Sequence, residues 1–139
     1  MNYFLTTNAV SYLVERRPSV VVKVREIGGP GLLSISTITL AELSYGMQIM
    51  PGGRRKAGLL ESLDQMLRTG MDVRPFSADA ARAYSEGEAK LREGGIGFAS
   101  QDLAIASVAM LENKTLASNY SFLDHARRLC RLRFERWKP

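Results

Sequence analysis

Short apolar runs alternate along the chain with longer segments in which apolar residues recur at helical spacing. The short runs are bounded by polar or turn-forming residues, and this pattern predicts β-strands. Five strands are expected, over residues 2–6, 32–38, 71–76, 116–119 and 131–134. The last of them is expected to lie at an edge of the sheet.

The segments between these strands are predicted to be helices, because their apolar residues recur as they do on the buried face of an amphipathic helix. Pro18 can begin one helix in its first turn, and Gly28 and Gly29 end it. Ser77 and Ser100 are expected N-caps. Helices are expected over 8–16, 18–27, 39–50, 54–68, 77–93 and from 100 onward. Since strands and helices mostly alternate, the order predicts an α/β fold with a mainly parallel sheet.

The composition narrows the kinds of site that the chain can build. A length of 139 residues favours a single domain over 1–139, without a linker or an internal repeat. The chain has one cysteine and one histidine, Cys130 and His125. This excludes an intramolecular disulfide framework, a cysteine-based zinc site and a multi-histidine metal site. Any metal is therefore expected to be bound by oxygen, which favours Mg²⁺, Mn²⁺ or Ca²⁺.

The apolar segments also bear on location. The start of the chain lacks the basic region and long apolar run of a signal peptide. No stretch reaches the roughly 18 consecutive apolar residues needed to span a membrane. We therefore expect a soluble, cytoplasmic protein that has no membrane partner.

The chain is moderately basic, with 19 Lys and Arg against 14 Asp and Glu and a formal net charge of +5. This charge is compatible with a nucleic-acid partner, because cations that neutralise phosphates release counterions. It is equally compatible with an ordinary soluble protein. Much of the excess lies in two clusters. They are Arg54-Arg55-Lys56 and a terminal cluster of Arg127, Arg128, Arg131, Arg133, Arg136 and Lys138.

Polar residues lie at the ends of predicted strands or open the helices that follow. Thr6 ends the first strand, Glu42 lies in the expected first turn of a helix, and Asp102 opens another helix. In a parallel sheet the carboxyl ends of the strands meet at one edge, where ligands bind. Carboxylates that converge there repel one another unless a hard divalent cation offsets the repulsion. We therefore expect Glu42 and Asp102 to lie close together, with Thr6 facing them.

Each acid also has a purely structural interpretation. Glu42 follows Thr39 by three residues, which is the spacing of a capping box. Asp102 is favoured in the first turn of its helix by the helix dipole. Asp124 follows Ser121 by three residues, which is another N-cap arrangement. A capping role does not exclude metal binding, because both roles place the carboxylate at the same edge of the sheet.

Five motifs follow one another in a characteristic order along the chain. They are YFLTTN at 3–8, SISTITLAEL at 34–43, DLAIA at 102–106, LASN at 116–119 and LRFERW at 132–137. In order and spacing they resemble the PIN domain, and most closely the VapC-type toxins of bacterial toxin–antitoxin pairs. The resemblance covers essentially the whole chain.

This resemblance implies a PIN-like three-layer α/β/α sandwich and a cytoplasmic endoribonuclease that depends on Mg²⁺ or Mn²⁺. It also implies a homodimer that a cognate VapB-like antitoxin inhibits, with RNA as the substrate. By their positions in the motifs, Glu42 and Asp102 are the expected metal ligands, and the family's first catalytic Asp falls at Thr6. Asp124 is the nearest acid to the fourth motif and a further catalytic candidate. The candidate substrate-binding residues are Asn8, Ser118, Asn119, Arg127 and Arg128.

Two positions depart from the family pattern. Thr6 offers a neutral hydroxyl where an Asp is expected, and Tyr120 and Phe122 stand where an acid is usual. With fewer carboxylates, we expect weak or absent Mg²⁺ binding. Three functions therefore stay open: a ribonuclease that is weakened or inactive, a PIN-fold protein that binds antitoxin or RNA without cleavage, and a nuclease that acts on DNA.

The terminal cluster of arginines has three alternative partners. We expect Arg127, Arg128, Arg131 and Arg133 to contact RNA phosphates beside the site, because guanidinium forks match phosphate oxygens. The same side chains can instead pair with acids of the chain itself or with acidic residues of the antitoxin.

Overall fold

The computed structural model describes residues 2–120, 123–124 and 132–139. Its centre is a sheet of five strands. They are β1 (Tyr3–Leu5), β2 (Leu33–Ser36), β3 (Asp72–Arg74), β4 (Thr115–Ser118) and β5 (Phe134–Arg136). All neighbours pair in parallel, in the order β3-β2-β1-β4-β5. The predicted parallel sheet is thus confirmed.

Helices connect these strands. In the described part of the chain they are α1 (Thr7–Val14), α2 (Pro18–Ile27), α3 (Thr37–Gln48), α4 (Arg54–Arg68), α5 (Ala78–Glu93) and α6 (Ser100–Leu111). Pro18 begins α2 as predicted, and Gly28 ends it with a φ of 120°, a conformation that costs glycine little. None of these helices is long and apolar enough to cross a membrane.

The helices cover both faces of the sheet and give a three-layer α/β/α sandwich, which confirms the predicted fold class. Side chains of a strand point alternately to the two faces. In β1, Tyr3 and Leu5 pack with residues of α1, α2, α3 and α4, whereas Phe4 packs with residues of α5 and α6. The centre of α6, from 103 to 109, is buried throughout. The central strand β1 therefore has a hydrophobic core on each side.

The boundary between β2 and α3 lies earlier than the sequence predicts. The strand ends at Ser36, whose Oγ caps α3 by accepting a hydrogen bond from the Ile38 amide at 3.1 Å. The expected capping box of Thr39 and Glu42 is wrong, because Thr39 is buried inside the helix and Glu42 lies beyond its first turn. The serine side chain sets the boundary, since it can satisfy a free amide of the first turn.

The start of α6 also differs from the prediction. Its N-cap is Ala99, and Ser100 is the first residue of the helix. The expected Ser100 cap is therefore wrong. Ser77 caps α5 as predicted, and its Oγ accepts a hydrogen bond from the Ala80 amide at 3.2 Å.

The last strand lies further along the chain than expected. β5 pairs with β4 through residues 134–136, whereas the sequence predicted a strand over 131–134. Trp137 follows this strand and is buried against Tyr3, with ring centroids 5.4 Å apart. Glu135 accepts hydrogen bonds from Tyr3 Oη at 2.8 Å and from Trp137 Nε1 at 3.2 Å. These tertiary contacts set the register of β5. They cannot be predicted from the local pattern of apolar and polar residues.

Two serines test the assignment of the caps. Replacing Ser36 by Ala is expected to lower the free energy of unfolding by about 1 kcal/mol, because the Ile38 amide loses its acceptor. Ser100→Ala is the matched control and is expected to change this free energy by less than about 0.5 kcal/mol. Denaturant unfolding of both variants measures the difference. Equal destabilisation would contradict the assignment.

Candidate active site

Several of the predicted site residues lie at the carboxyl edge of the sheet, around its central strand. β1 lies between β2 and β4, and Thr6 follows it directly as the N-cap of α1. Glu42 lies on α3, which follows β2, and Ser118 ends β4. Asp102 lies in the first turn of α6. The strand order therefore gathers residues that are far apart in sequence at one edge of the sheet.

Glu42 and Asp102 form an acid pair. Burial of Asp102, followed by the negative charge of Glu42, raises the pKa of Asp102 from 3.8 to about 6. Asp102 is half-buried, whereas Glu42 is exposed. The two acids are therefore close enough for the charge of one to act on the other. Their roles as metal ligands remain a prediction.

Thr7 orients the exposed Glu42 side chain. Its Oγ1 donates a hydrogen bond to Glu42 Oε1 at 2.7 Å and lies 3.2 Å from Oγ1 of the buried Thr39. Because the Thr7 proton is used on Glu42, Thr39 is the donor in the second contact. A hydrogen bond of this kind restricts a carboxylate to one orientation. Thr7 was not among the predicted site residues, although its place beside Thr6 in the first motif was a usable signal.

Thr6 is fully buried, and its hydroxyl proton is already used. Its Oγ1 donates to Asn8 Oδ1 at 2.8 Å, and the Ala117 carbonyl oxygen lies 3.3 Å away. An ionised Asp at this position has no proton to give to either acceptor. The local hydrogen bonds are therefore built around a neutral donor at Thr6.

Asn8 connects Thr6 to the end of β4. Its Oδ1 also accepts hydrogen bonds from Ser118 Oγ at 3.4 Å and from the Asn119 amide at 3.3 Å. Three predicted substrate-binding residues, Asn8, Ser118 and Asn119, thus meet beside Thr6. Ser118 is fully buried, so its hydroxyl supports Asn8 rather than facing solvent.

Asp124 pairs with a basic side chain instead of extending the acid pair. Its carboxylate forms an ion pair with Arg136, whose Nη1 also donates to Asn119 O at 3.0 Å and to Asn119 Oδ1 at 3.1 Å. Among the residues that the structure describes, no three acidic, histidine or cysteine side chains gather in a metal site. Ser121, which was expected to be the N-cap residue three positions before Asp124, lies outside the residues that the structure describes. A catalytic role of Asp124 remains a prediction.

The described arginines of the terminal cluster bind groups of the chain itself. Arg133 donates to the backbone carbonyl and to Oδ1 of Asn113, and Arg136 pairs with Asp124. These contacts agree with the alternative in which arginines of the terminal cluster bind groups of the chain itself and not RNA or the antitoxin. Outside the described residues lie Arg127, Arg128, Arg131 and His125. A phosphate-binding role for the first three of these remains a prediction.

Tyr120 lies beside the acid pair, although it was not among the predicted site residues. Burial, followed by the negative charges of Asp102 and Glu42, raises the pKa of Tyr120 to about 12. A hydrogen bond from the backbone N–H of Asn8 lowers this pKa and so opposes part of the rise. The phenol is therefore neutral near pH 7 and can donate its proton. Its position in the fourth motif, where the family usually has an acid, was the available signal.

The oxygen donors of the site are of the kind that a hard divalent cation binds, but few of them carry a negative charge. Carboxylate, hydroxyl and amide oxygens are the ligands that Mg²⁺ and Mn²⁺ prefer. A cation would also offset the repulsion between Glu42 and Asp102 that helps to raise the pKa of Asp102. Thr6 adds no charge. Glu42 and Asp102 are thus the residues suited to hold such an ion, with lower affinity than a site of three or four acids.

Asp102→Asn is expected to stabilise the protein by about 1–2 kcal/mol at pH 7 without divalent cations. Because the folded-state pKa is raised, stability is lost as the pH rises from 3.8 to about 6. One pKa unit corresponds to about 1.4 kcal/mol, and solvent screening reduces the total at a half-buried group. The gain is expected to vanish below about pH 4.

Unfolding measured across this pH range tests that expectation. Asp124→Asn is the matched control, because it removes an ion pair with Arg136 and no repulsion. If both variants gained stability equally, the burial of Asp102 and its repulsion by Glu42 would not be the cause.

Comparison with known proteins identifies similar chains along nearly the full length. The model of the PIN domain family matches residues 3–126. The chain is 31% identical to ribonuclease VapC2 of Rickettsia felis, across 99% of this chain and 98% of that protein. It is 34% identical to the plasmid stability protein StbB of Pseudomonas syringae pv. tomato, across 82% and 84% of the two chains.

A solved structure has a similar fold. A chain in the crystal structure of VapBC2 from Rickettsia felis, bound to a DNA fragment from their promoter, matches with a TM-score of 0.81 and 30% identity. The match covers 99% of this chain and 100% of that chain. The relative and the solved structure from Rickettsia felis thus each match nearly the whole chain.

Proposed function

This chain belongs to the PIN-domain family, and we propose that it is the toxin of a type II toxin–antitoxin pair, a metal-dependent endoribonuclease that cleaves RNA phosphodiester bonds. The Rickettsia felis relative is a ribonuclease by name. Within the molecule, the main support is the pair of Glu42 and Asp102 at the carboxyl edge of the sheet. A pair of close carboxylates among neutral oxygens suits a cation-dependent reaction on a phosphodiester.

Each residue of the site has a part in this reaction. Glu42 and Asp102 hold the cation, which we propose to be Mg²⁺ or Mn²⁺. When bound, such an ion supplies a nucleophilic water and stabilises charge on the phosphoryl oxygens. Thr7 keeps Glu42 in one orientation through its 2.7 Å hydrogen bond. Tyr120 remains protonated and supplies a hydrogen-bond donor for a phosphate oxygen.

Thr6 favours a second candidate function, that of a PIN-fold protein which binds antitoxin or RNA and cleaves slowly or not at all. The observation behind it is that the Thr6 hydroxyl is fully buried and donates to Asn8. Asp124 is neutralised by Arg136. The family's charged first ligand is therefore replaced by a neutral group inside an intact hydrogen-bond network.

A cleavage assay separates these functions. The unchanged chain and Thr6→Asp are each incubated with Mn²⁺ and with RNA or single-stranded DNA of the same sequence. We expect Thr6→Asp to cut RNA, EDTA to stop the reaction, and the unchanged chain to be at least about tenfold slower. Cleavage of DNA alone would contradict the ribonuclease. RNA binding without cleavage by either protein would select the binding function.

We propose a cognate antitoxin as the partner, together with a homodimeric, single-domain toxin in the cytoplasm. A groove of about 600 Å³ between α1, α2 and α4 supports antitoxin binding. Its lining includes the apolar residues Leu13, Val22 and Met66, and also Arg16 and Arg25. Such a surface suits an amphipathic peptide that has apolar anchors and acidic residues. Co-purification with the product of the adjacent small gene tests this partner.

Arg127 and Arg128, which lie outside the described residues, are the subject of a further prediction. Replacing Arg127 and Arg128 by Ala is expected to weaken RNA binding across sequences and to flatten its salt dependence, by roughly one unit of slope for each lost phosphate contact. The matched control replaces Lys90 and Arg92, at the end of α5 and thus at the amino edge of the sheet. Unchanged RNA affinity combined with lost antitoxin binding would assign this cluster to the protein partner.

A further inference from the structure

A second, smaller groove opens beside the acid pair. It has a volume of about 230 Å³ and lies between α1, α3 and α4. Glu42 and Thr7 are part of its lining, so the groove is continuous with the candidate active site. Its apolar lining consists of Val14, Leu43, Met47, Met50 and Leu59. Pockets for drug-sized ligands begin near 300 Å³, so this groove suits one smaller group.

We infer that this groove binds a single base of the RNA substrate, beside the position where a cation at Glu42 and Asp102 would hold the scissile phosphodiester, an inference that rests on the proposed ribonuclease function. RNA-binding proteins read single strands by splaying out bases and stacking them on aromatic side chains or on arginine guanidinium planes. In this groove Arg55 and two methionines take the place of an aromatic side chain. Met47 is buried and Met50 is half-buried. Their polarisable thioethers make favourable contacts with an aromatic ring, often at its edge. The apolar lining thus supplies a platform for a base.

Arg55 supplies the charge that a nucleotide requires. Of the described residues in the lining it is the single basic one, and its side chain is exposed. Among the residues that the structure describes, the ion pairs do not include Arg55. Its guanidinium is thus available to a phosphate, which it can bind through two parallel hydrogen bonds. Arg54 precedes it and is also exposed, but does not line the groove.

Glu15 gives the groove a preference among bases. Its Oε2 is bound by Arg17, with Nε at 3.2 Å and Nη2 at 3.1 Å. Within the described residues its Oε1 accepts no hydrogen bond, and Glu15 is part of the lining. A carboxylate oxygen accepts a hydrogen bond from an exocyclic amino group, which cytosine and adenine carry and uracil lacks. The groove is therefore expected to prefer an amino-bearing base.

Fluorescence anisotropy tests this site on the unchanged chain without divalent cations. The probes are labelled RNA hexamers of cytidine, of uridine and of abasic ribose phosphate. We expect the cytidine hexamer to bind more tightly than the uridine hexamer, and the abasic one to bind roughly two- to tenfold more weakly, which is the change that a favourable contact between a thioether and an aromatic ring accounts for. Glu15→Ala is expected to abolish the difference between cytidine and uridine.

Two further variants separate the base from the phosphate. Met50→Ala is expected to weaken the cytidine hexamer and to leave the abasic one unchanged. Arg55→Ala is expected to weaken both hexamers and to lower the salt slope by about one unit. Arg54→Ala is the matched control, because it removes the same charge one residue outside the groove. Thermal unfolding of each variant verifies that it is folded.

Three outcomes would overturn the inference. They are equal affinity for the cytidine and abasic hexamers, equal effects of Arg55→Ala and Arg54→Ala, or RNA binding that neither Met50→Ala nor Arg55→Ala changes. The last outcome would indicate that the groove binds a protein partner and not RNA. These measurements involve neither metal nor cleavage. A failure of Thr6→Asp to cut RNA would therefore count against the proposed enzyme and not against the base site.

Discussion

Replacing Thr6 by Asp is expected to tighten Mg²⁺ binding by roughly one to two orders of magnitude. The substitution adds a third carboxylate to a site in which burial, followed by the negative charge of Glu42, already raises the pKa of Asp102. Attraction between unit charges about 4 Å apart is roughly 4 kcal/mol at an effective dielectric constant of 20, and part of it is lost to desolvation. Isothermal titration calorimetry with Mg²⁺ measures the change directly.

The same substitution is expected to make stability depend on the cation. Without metal, an ionised Asp at the fully buried Thr6 position has no basic partner among the described residues and cannot donate to Asn8 Oδ1. We expect a loss of about 3 kcal/mol in the free energy of unfolding, typical of an uncompensated buried charge. Saturating Mg²⁺ is expected to restore most of it, because a ligand that binds only the folded state stabilises that state.

Thr6→Asn is the matched control, since it has the size of Asp without the charge. It is expected to lose some stability and to gain no Mg²⁺ dependence. If Thr6→Asp bound Mg²⁺ no more tightly than Thr6→Asn, Thr6 would not occupy a ligand position. Tight Mg²⁺ binding by the unchanged chain would also contradict the view that Glu42 and Asp102 alone form a charge-poor site.

Most of the fold is predictable because its main patterns are local. The buried strands around β1 and the helix that begins at Pro18 follow from apolar runs, periodicity and turn residues. The errors lie where several local signals compete. Ser36 and Thr39 can each cap a helix, and only the packing that buries Thr39 decides between them. The register of β5 depends on contacts of Trp137 with Tyr3 at the opposite end of the chain.

The site is predictable to the extent that it depends on topology. A parallel sheet brings residues that follow its strands to one edge, so the approach of Glu42 and Asp102 follows from element order. The hydrogen-bond network does not follow from it, because it depends on side-chain directions. Thr7 orients Glu42, while Arg136 draws Asp124 into an ion pair. Neither of these contacts can be predicted from the spacing of residues in the sequence.

Glu42→Gln, introduced into the Thr6→Asp protein, is expected to lower RNA cleavage by about a hundredfold or more. Gln keeps the size of the side chain and the position on α3, but it removes one of the charges that hold the cation. Loss of a charged ligand reduces both the occupancy of the metal and the activation of the attacking water. Cleavage rates measured over a range of Mn²⁺ concentrations separate these two effects.

Thr7→Ala in the same background is the informative companion, because it keeps the Glu42 charge and removes only the 2.7 Å hydrogen bond that orients it. We expect a loss of about tenfold, the lower end of the range for residues that position a metal ligand. High Mn²⁺ is expected to recover part of the Thr7→Ala loss and much less of the Glu42→Gln loss. If Glu42→Gln cleaved RNA at the rate of its parent, the acid pair would not be the catalytic site, and the role of Glu42 would be confined to α3 and its contact with Thr7.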